Sequence, residues 1–424
     1  MMAQTLAQKL LARASGVAAV TPGEIVTCRV DLAMMHDSGG PRRVKPMLER
    51  LGARVWNPDK VVVVTDHYVP AHDADSRAIV QLARDWVKEA GVSRFHDMEG
   101  ICHVVVPEKG YLRPGMFAVG GDSHSCTGGA FGAYMFGIGA TEMLGVLVTG
   151  EIWVRVPETI RMHWHGRLRP GVSAKDMMLR MCTRFGMDGG QYQAVEYTGD
   201  AVAALPMQER MTLSNMTAEL GAQVGLIAPD AVTRDWLAAV GVADAEIDLQ
   251  SWQSDADAAC LATHRFDASA LAPQVSRPHT PAGAEDVDAF HGVAVDVAYI
   301  GACTGAKLED LRMAAQVLRG NRVASGTRLL VAPASAADQA RAQKEGTLGV
   351  LVDAGAELLP NACGACAGYG AHRFGEDSVV ISATARNFKG RMGAASSQVY
   401  LGSPYTVAAS AIAGRIADPR EMLA

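Results

Sequence analysis

The chain has 424 residues, enough for two or three domains at about 150 residues each. Its 49% hydrophobic and 20% charged residues suit a globular enzyme with large cores and argue against a long disordered tail. A formal net charge of −6 argues against broad binding to nucleic acid or anionic membrane, so any anion site must be local and built from a few arginines.

The first nineteen residues lack the basic, apolar and small-residue pattern of a secretory signal. They read as an amphipathic helix with Leu6, Leu10 and Leu11 on one side. Apolar runs such as Val61–Val64 are too short to span a bilayer, and the expectation is a cytoplasmic protein. Val61–Thr65, Ile101–Val106 and Phe117–Gly120 read as buried strands, and Ala140–Glu151 as a helix after a glycine-rich turn. Ser173 with Asp176 has the spacing of a capping box, opening a helix through Cys182; Gln208–Gly221 is a further helix. Residues 251–287 shift to Ala, Asp, Ser and Pro and are expected to form a linker. A second α/β block follows: strand Val293–Ile300, turn Gly301–Gly305, helix Lys307–Leu318 and strand Arg328–Val331. It closes with strand Ser378–Ser382 and helix Tyr405–Ile416. Alternating strands and helices predict α/β layers, divided here as 1–150, 151–287 and 288–424.

Eight cysteines in a large chain without a secretory signal do not read as a disulfide framework. Three of them follow expected strands at turns of small residues: Cys303 in Gly301–Gly305, then Cys363 and Cys366 spaced Cys-x-x-Cys. Three thiolates suit an iron–sulfur cluster with one iron lacking a protein ligand, which can act as a Lewis acid on a hydroxyl and a carboxylate together. The same spacing also suits a redox pair, or structural zinc with His372 as fourth ligand.

Carboxylate and imidazole recur together at Asp122 and His124, and at Asp66 and His67, which are plausible proton-handling pairs. Read singly, each also fits a buried structural contact, and His103 and Glu196 fit satisfied core polar groups. Arg386 and Arg391 stand about one helical turn apart, and guanidinium groups grip carboxylates in bidentate fashion.

Taken in order, Asp122-Ser123-His124, the cysteine set and Arg386-Asn387-Phe388-Lys389-Gly390-Arg391 resemble the aconitase superfamily, in its isopropylmalate dehydratase large-subunit (homoaconitase-like) branch. The resemblance runs from His36-Asp37 to Ser403-Pro404. It includes Pro157–Ile160, Pro170–Asp176, Leu213-Ser214-Asn215-Met216 and Ala411–Gly414.

This resemblance implies three α/β domains around a central site, with Cys303, Cys363 and Cys366 holding a [4Fe-4S] cluster that keeps one open iron. It implies that Asp66 and His67 protonate the departing hydroxyl, and that Asp122 and His124 bind that hydroxyl or water. His103 and Glu196 would form a supporting pair, while Arg386 and Arg391 would hold a carboxylate of a small hydroxy-dicarboxylate. Nothing in the 424 residues resembles the swivelling fourth domain that supplies a serine base, so a separate small subunit is expected.

Two departures from the family pattern, Gly305 and Ala385 where asparagines usually stand, bear on the cluster's tuning and on the substrate. The activity expected is dehydration and rehydration of a malate-type 2-hydroxy-dicarboxylate, with 3-isopropylmalate leading and methyl-, dimethylmalate or homoaconitate types as alternatives. An RNA-binding member without a cluster and a catalytically dead subunit are the rivals of another class.

Overall fold

The computed structural model describes residues 3–244 and 247–423. The first helix, Leu6–Ser15, is closed by a capping box between Thr5 and Gln8, and buries Leu6, Leu10 and Leu11 completely.

Strand Val61–Thr65 is buried throughout, as an all-valine run in a parallel sheet covered on both faces must be. It lies in a five-stranded parallel sheet in the order Arg94–Asp97, Val61–Thr65, Leu32–His36, Phe117–Gly120, Tyr134–Gly137. A four-stranded parallel sheet follows: Val224–Leu226, Ala194–Thr198, Thr159–His165, Ala262–Asp267. A seven-stranded sheet carries parallel strands Gln398–Leu401, Val379–Ser382, Val297–Ile300, Arg328–Val331 and Ala356–Leu358. Gln274–Ser276 and Ala284–Asp286 extend its edge in antiparallel sense.

The polar stretch 251–287 is therefore not a plain linker. It gives one edge strand to the four-stranded sheet and two to the seven-stranded one. Ala262–Asp267 alternates between half-buried and exposed positions until Phe266, so its apolar signal is weak in sequence. Sheet membership also departs from divisions at 150 and 287, because Glu151–Arg155 pairs back onto Ile25–Arg29.

Two further elements differ from expectation. Ile101–Val106 is not a strand: Cys102–Glu108 is a helix, despite its run of valines. Asp66 accepts the N–H of Cys102 at 2.8 Å, satisfying the helix start, and this tertiary contact overrides β-propensity. The helix expected over 208–221 is split into an α-helix, Met207–Asn215, and a 3-10 turn, Met216–Leu220, which ends at Gly221 with φ 70°. Among the described residues no helix is long and apolar enough to cross a membrane.

Candidate active site

The chemistry-bearing residues gather beyond the carboxyl ends of parallel strands, where open α/β sheets present their binding crevices. Asp66 and His67 follow strand Val61–Thr65, Asp122 follows Phe117–Gly120, Cys303 follows Val297–Ile300, and Arg386 follows Val379–Ser382.

The Asp66–His67 turn is built by Asp37, which neighbours it from the next strand. The fully buried Asp37 carboxylate accepts the backbone N–H of His67 at 3.0 Å and of Tyr68 at 2.8 Å. His67 Nδ1 then lies 2.6 Å from Asp66 Oδ1. Burial opposes a charge on His67, but the Asp66 carboxylate, through charge and hydrogen bond, more than reverses this and holds the imidazole up to about 9. The ring of His36 stacks on His67 at 4.2 Å between centroids, and burial together with His67 pushes His36 down to about 4. A neutral imidazole thus covers a charged one.

Asp122 caps the 3-10 helix Ser123–Phe131, accepting the N–H of His124 at 2.8 Å. Its other partner is His103 Nε2, also at 2.8 Å. Burial would raise the Asp122 carboxyl, yet His103 and His124 hold it well below the usual range. His124 in turn points Nε2 at Glu219 Oε1, 3.1 Å away, and the same oxygen accepts from Arg386 Nε at 2.5 Å.

The expected His103–Glu196 pair is not formed. Glu196 sits on the polar side of the four-stranded sheet, where it accepts from Ser254 at 2.9 Å and faces Arg161 at 3.4 Å. It lines an open hollow of about 730 Å³ whose wall contains none of the cysteines. Glu219 is the buried glutamate beside the histidines. Sequence spacing did not point to it, because its partners His124 and Arg386 lie 95 and 167 residues away.

Cys303, Cys363 and Cys366 converge from two turns of the seven-stranded sheet. Burial raises the Cys303 thiol to about 12, with Cys366 adding to the rise. The neighbouring Cys363 thiol, together with the Arg391 guanidinium, lowers Cys366. The Cys363 N–H donates to the Asp66 carbonyl at 2.8 Å, so the cysteine turn is tied to the acid–base turn. Arg391 lies beside Cys366, and its buried Nε has no hydrogen-bond partner among the described residues. Asn387, between the two arginines, anchors their loop by donating to the carbonyls of Arg277 and Val399 at 2.7 and 2.8 Å.

The donor set fits an iron–sulfur cluster better than one zinc ion. Thiolates on one tetrahedral ion stand about 4 Å apart, given Zn–S bonds of about 2.3 Å. Among the described residues, the potential ligand groups within 4.8 Å are His36–Asp37–Asp66–His67 and His103–Asp122–His124, and neither includes the three thiols. His372 is exposed. Asn215 Nδ2 donates to Cys303 Sγ at 3.2 Å and to Thr127 Oγ1 at 2.8 Å, a side-chain amide on sulfur of the kind that tunes such centres.

The two departures have structural reasons. A Cβ at Gly305 would stand 2.3 Å from Ala383 Cβ and 2.4 Å from its carbonyl oxygen, so no side chain fits there. Ala385 is 1% exposed and packs in the apolar cluster of the middle sheet, with Leu401 and Ala284. Asn215 supplies the amide donor that neither position offers.

Known proteins resemble this chain over nearly its whole length. The chain matches the model of the Aconitase family (aconitate hydratase) over residues 8–291 and 283–414. It is 43% identical over 423 residues to the 3-isopropylmalate dehydratase large subunit 1 of Methanopyrus kandleri, covering 100% of both chains. To the "Probable methanogen homoaconitase large subunit" of Methanothermobacter thermautotrophicus it is 40% identical, covering 99% of each. The crystal structure of Thermococcus kodakaraensis aconitase X (holo-form) matches with a TM-score of 0.50 at 12% identity. It covers 85% of this chain and 84% of that one, a likeness of fold alone. Fold and relatives together make this protein a hydro-lyase. It belongs to the aconitase family.

Proposed function

We propose that this chain is the large subunit of an iron–sulfur hydro-lyase that removes water from, and returns it to, a malate-type 2-hydroxy-dicarboxylate. The substrate we favour is a 3-isopropylmalate, in line with the full-length relatives of that name. The convergence of three thiols, two buried carboxylate–histidine pairs and two arginines in one crevice carries this reading.

Cys303, Cys363 and Cys366 would hold a [4Fe-4S] cluster, which supplies Lewis-acid polarisation of the substrate's hydroxyl and carboxylate. Arg391, with Nε free and its guanidinium held at Cys366, binds one carboxylate; Arg386, fixed by Glu219, lines the same wall. His67 is protonated at neutral pH through Asp66 and delivers its proton to the leaving hydroxyl oxygen. Asp122 accepts from His103, and that linked pair orients the hydroxyl or water near His124. The base that takes the proton alpha to the carboxylate is assigned to a small subunit docking on this chain, as the large-subunit names of the relatives suggest.

The test is an anaerobic assay of the reconstituted chain with and without a small subunit from a 3-isopropylmalate dehydratase. Formation of the unsaturated dicarboxylate is followed by its ultraviolet absorbance, using isopropylmalate, dimethylmalate and homoaconitate-type substrates. Turnover of isopropylmalate only in the mixture supports the proposal. Faster turnover of another substituted malate revises the substrate, and turnover by the isolated chain removes the need for a partner.

A further inference from the structure

Lys175 stands in the first turn of helix Ala174–Phe185, yet it is only 1% exposed. A cation there opposes the helix dipole, and a buried ammonium without a carboxylate partner is costly. Its Nζ donates to the Ala383 carbonyl at 2.9 Å and to the Thr384 carbonyl, and reaches Thr304 Oγ1 at 3.4 Å. Those three acceptors use all three of its N–H groups, and none is anionic.

Neighbouring carboxylates are engaged elsewhere. Asp176 serves the N–H groups of Ser173 and Gln274, Glu219 serves Arg386 and His124, and Asp310 serves Lys307 at 2.6 Å. Of the three thiols, Cys366 is the one whose charge bears on Lys175, and it adds to the larger pull of Glu219 and Asp310. Burial draws Lys175 down to about 8, with Glu219, Asp310 and Cys366 acting against that fall.

The groups that Lys175 joins belong to two separate turns of the site. Thr304 follows Cys303, while Ala383 and Thr384 lead into Arg386. These turns already meet: the Thr304 Oγ1 hydroxyl donates to the Ala383 carbonyl at 3.1 Å, and Gly305 leaves no room for a Cβ against Ala383. Lys175 closes the junction from a third side, on a helix that lies against the edge strands Gln274–Ser276 and Ala284–Asp286.

We propose that Lys175 is a positioning residue of the thiol centre, clamping the Cys303–Gly305 turn to the Ala383–Arg386 loop and offsetting the thiolate charge there. This rests on the iron–sulfur reading given above. Reduction adds negative charge to such a centre, so a nearby fixed cation favours it. Removing that cation lowers the reduction potential, and loosening the clamp speeds loss of iron.

The experiment uses the full chain, reconstituted anaerobically, as wild type and as Lys175→Met, Lys175→Gln and Thr304→Val. Iron content, an EPR-monitored redox titration and iron loss in air are measured for each. Lys175→Gln keeps donors but no charge, so its potential should fall about as far as that of Lys175→Met. A tenfold drop in the ratio of reduced to oxidised centre corresponds to about 59 mV for one electron. Thr304→Val keeps the charge, so its potential should hold while iron is lost several-fold faster. A wild-type chain that takes up no iron refutes the iron–sulfur reading itself. A loaded wild type whose neutral variants keep its potential, or whose Thr304→Val variant keeps its rate of loss, overturns the role of Lys175. If neither neutral variant folds, the Thr304→Val rate decides.

Discussion

Nδ1 of His67 lies 2.6 Å from the Asp66 carboxylate, with both groups buried at the end of one strand. The carboxylate holds the imidazole up to about 9 against the effect of burial. Activity that needs protonated His67 should therefore fall as pH rises through about 9, read as the alkaline limb of kcat/KM. Asp66→Asn removes the opposing charge and leaves burial, so the limb should move to lower pH; a limb that stays in place removes His67 as its source. His67→Ala should lower kcat by roughly 10²–10⁴-fold with iron content unchanged. Near-normal turnover would reduce His67 to a structural histidine.

The same pair carries a stability prediction. The folded imidazole binds its proton more tightly than an unfolded one at about 6.5. Its contribution to stability is fully present below about 6.5 and is lost as pH rises through about 9. In Asp66→Asn the fall in melting temperature across that window should be smaller than in the wild type; an identical fall would contradict the linkage.

Glu219 and Glu196 are separated by a paired experiment. Glu219 is fully buried between His124 and Arg386, so Glu219→Ala leaves a buried guanidinium unpaired and should cost roughly 3–5 kcal/mol of stability. The conservative Glu219→Gln should raise KM by freeing Arg386. Glu196→Gln, away from the cysteines, should leave kcat within about twofold, since distant polar changes seldom reach the chemistry. A larger loss from Glu196→Gln than from Glu219→Gln, in proteins of equal stability, would reverse the assignment.

Gly305 and Ala385 yield a further expectation. Gly305→Ala places a methyl 2.3 Å from Ala383, so the Cys303 turn must shift, at about 1–3 kcal/mol for overpacking. Iron uptake should fall with it. Ala385→Asn buries an amide in an apolar cluster and should cost about 1–3 kcal/mol without changing the rate of iron loss in air. A Gly305→Ala chain with wild-type stability and iron content would show that the turn is not held against Ala383.

Much of the site was legible because its chemistry sits in short strings directly after strands. Asp66-His67, Asp122-Ser123-His124 and Cys303 are set by local turns after parallel strands whose apolar runs are plain in the sequence, whereas Cys363 follows the short, largely exposed strand Ala356–Leu358. What escaped depends on contacts between distant segments. Glu219 reaches His124 across 95 residues and Arg386 across 167, and Lys175 meets Ala383 across 208. Spacing along the chain carries no signal for such pairs. The helix at Cys102–Glu108 escaped for a similar reason, since Asp66, 36 residues earlier, accepts the N–H at its start.

The central claim is that Cys303, Cys363 and Cys366 hold an iron–sulfur cluster, and anaerobic metal analysis tests it most directly. The full chain is purified and reconstituted without oxygen, and iron, sulfide and zinc are quantified beside its visible absorbance. The account predicts a brown protein with about four irons and four sulfides per chain. It also predicts that Cys366→Ser and Cys303→Ser each lose that colour. A colourless chain carrying about one zinc per three thiols would contradict it.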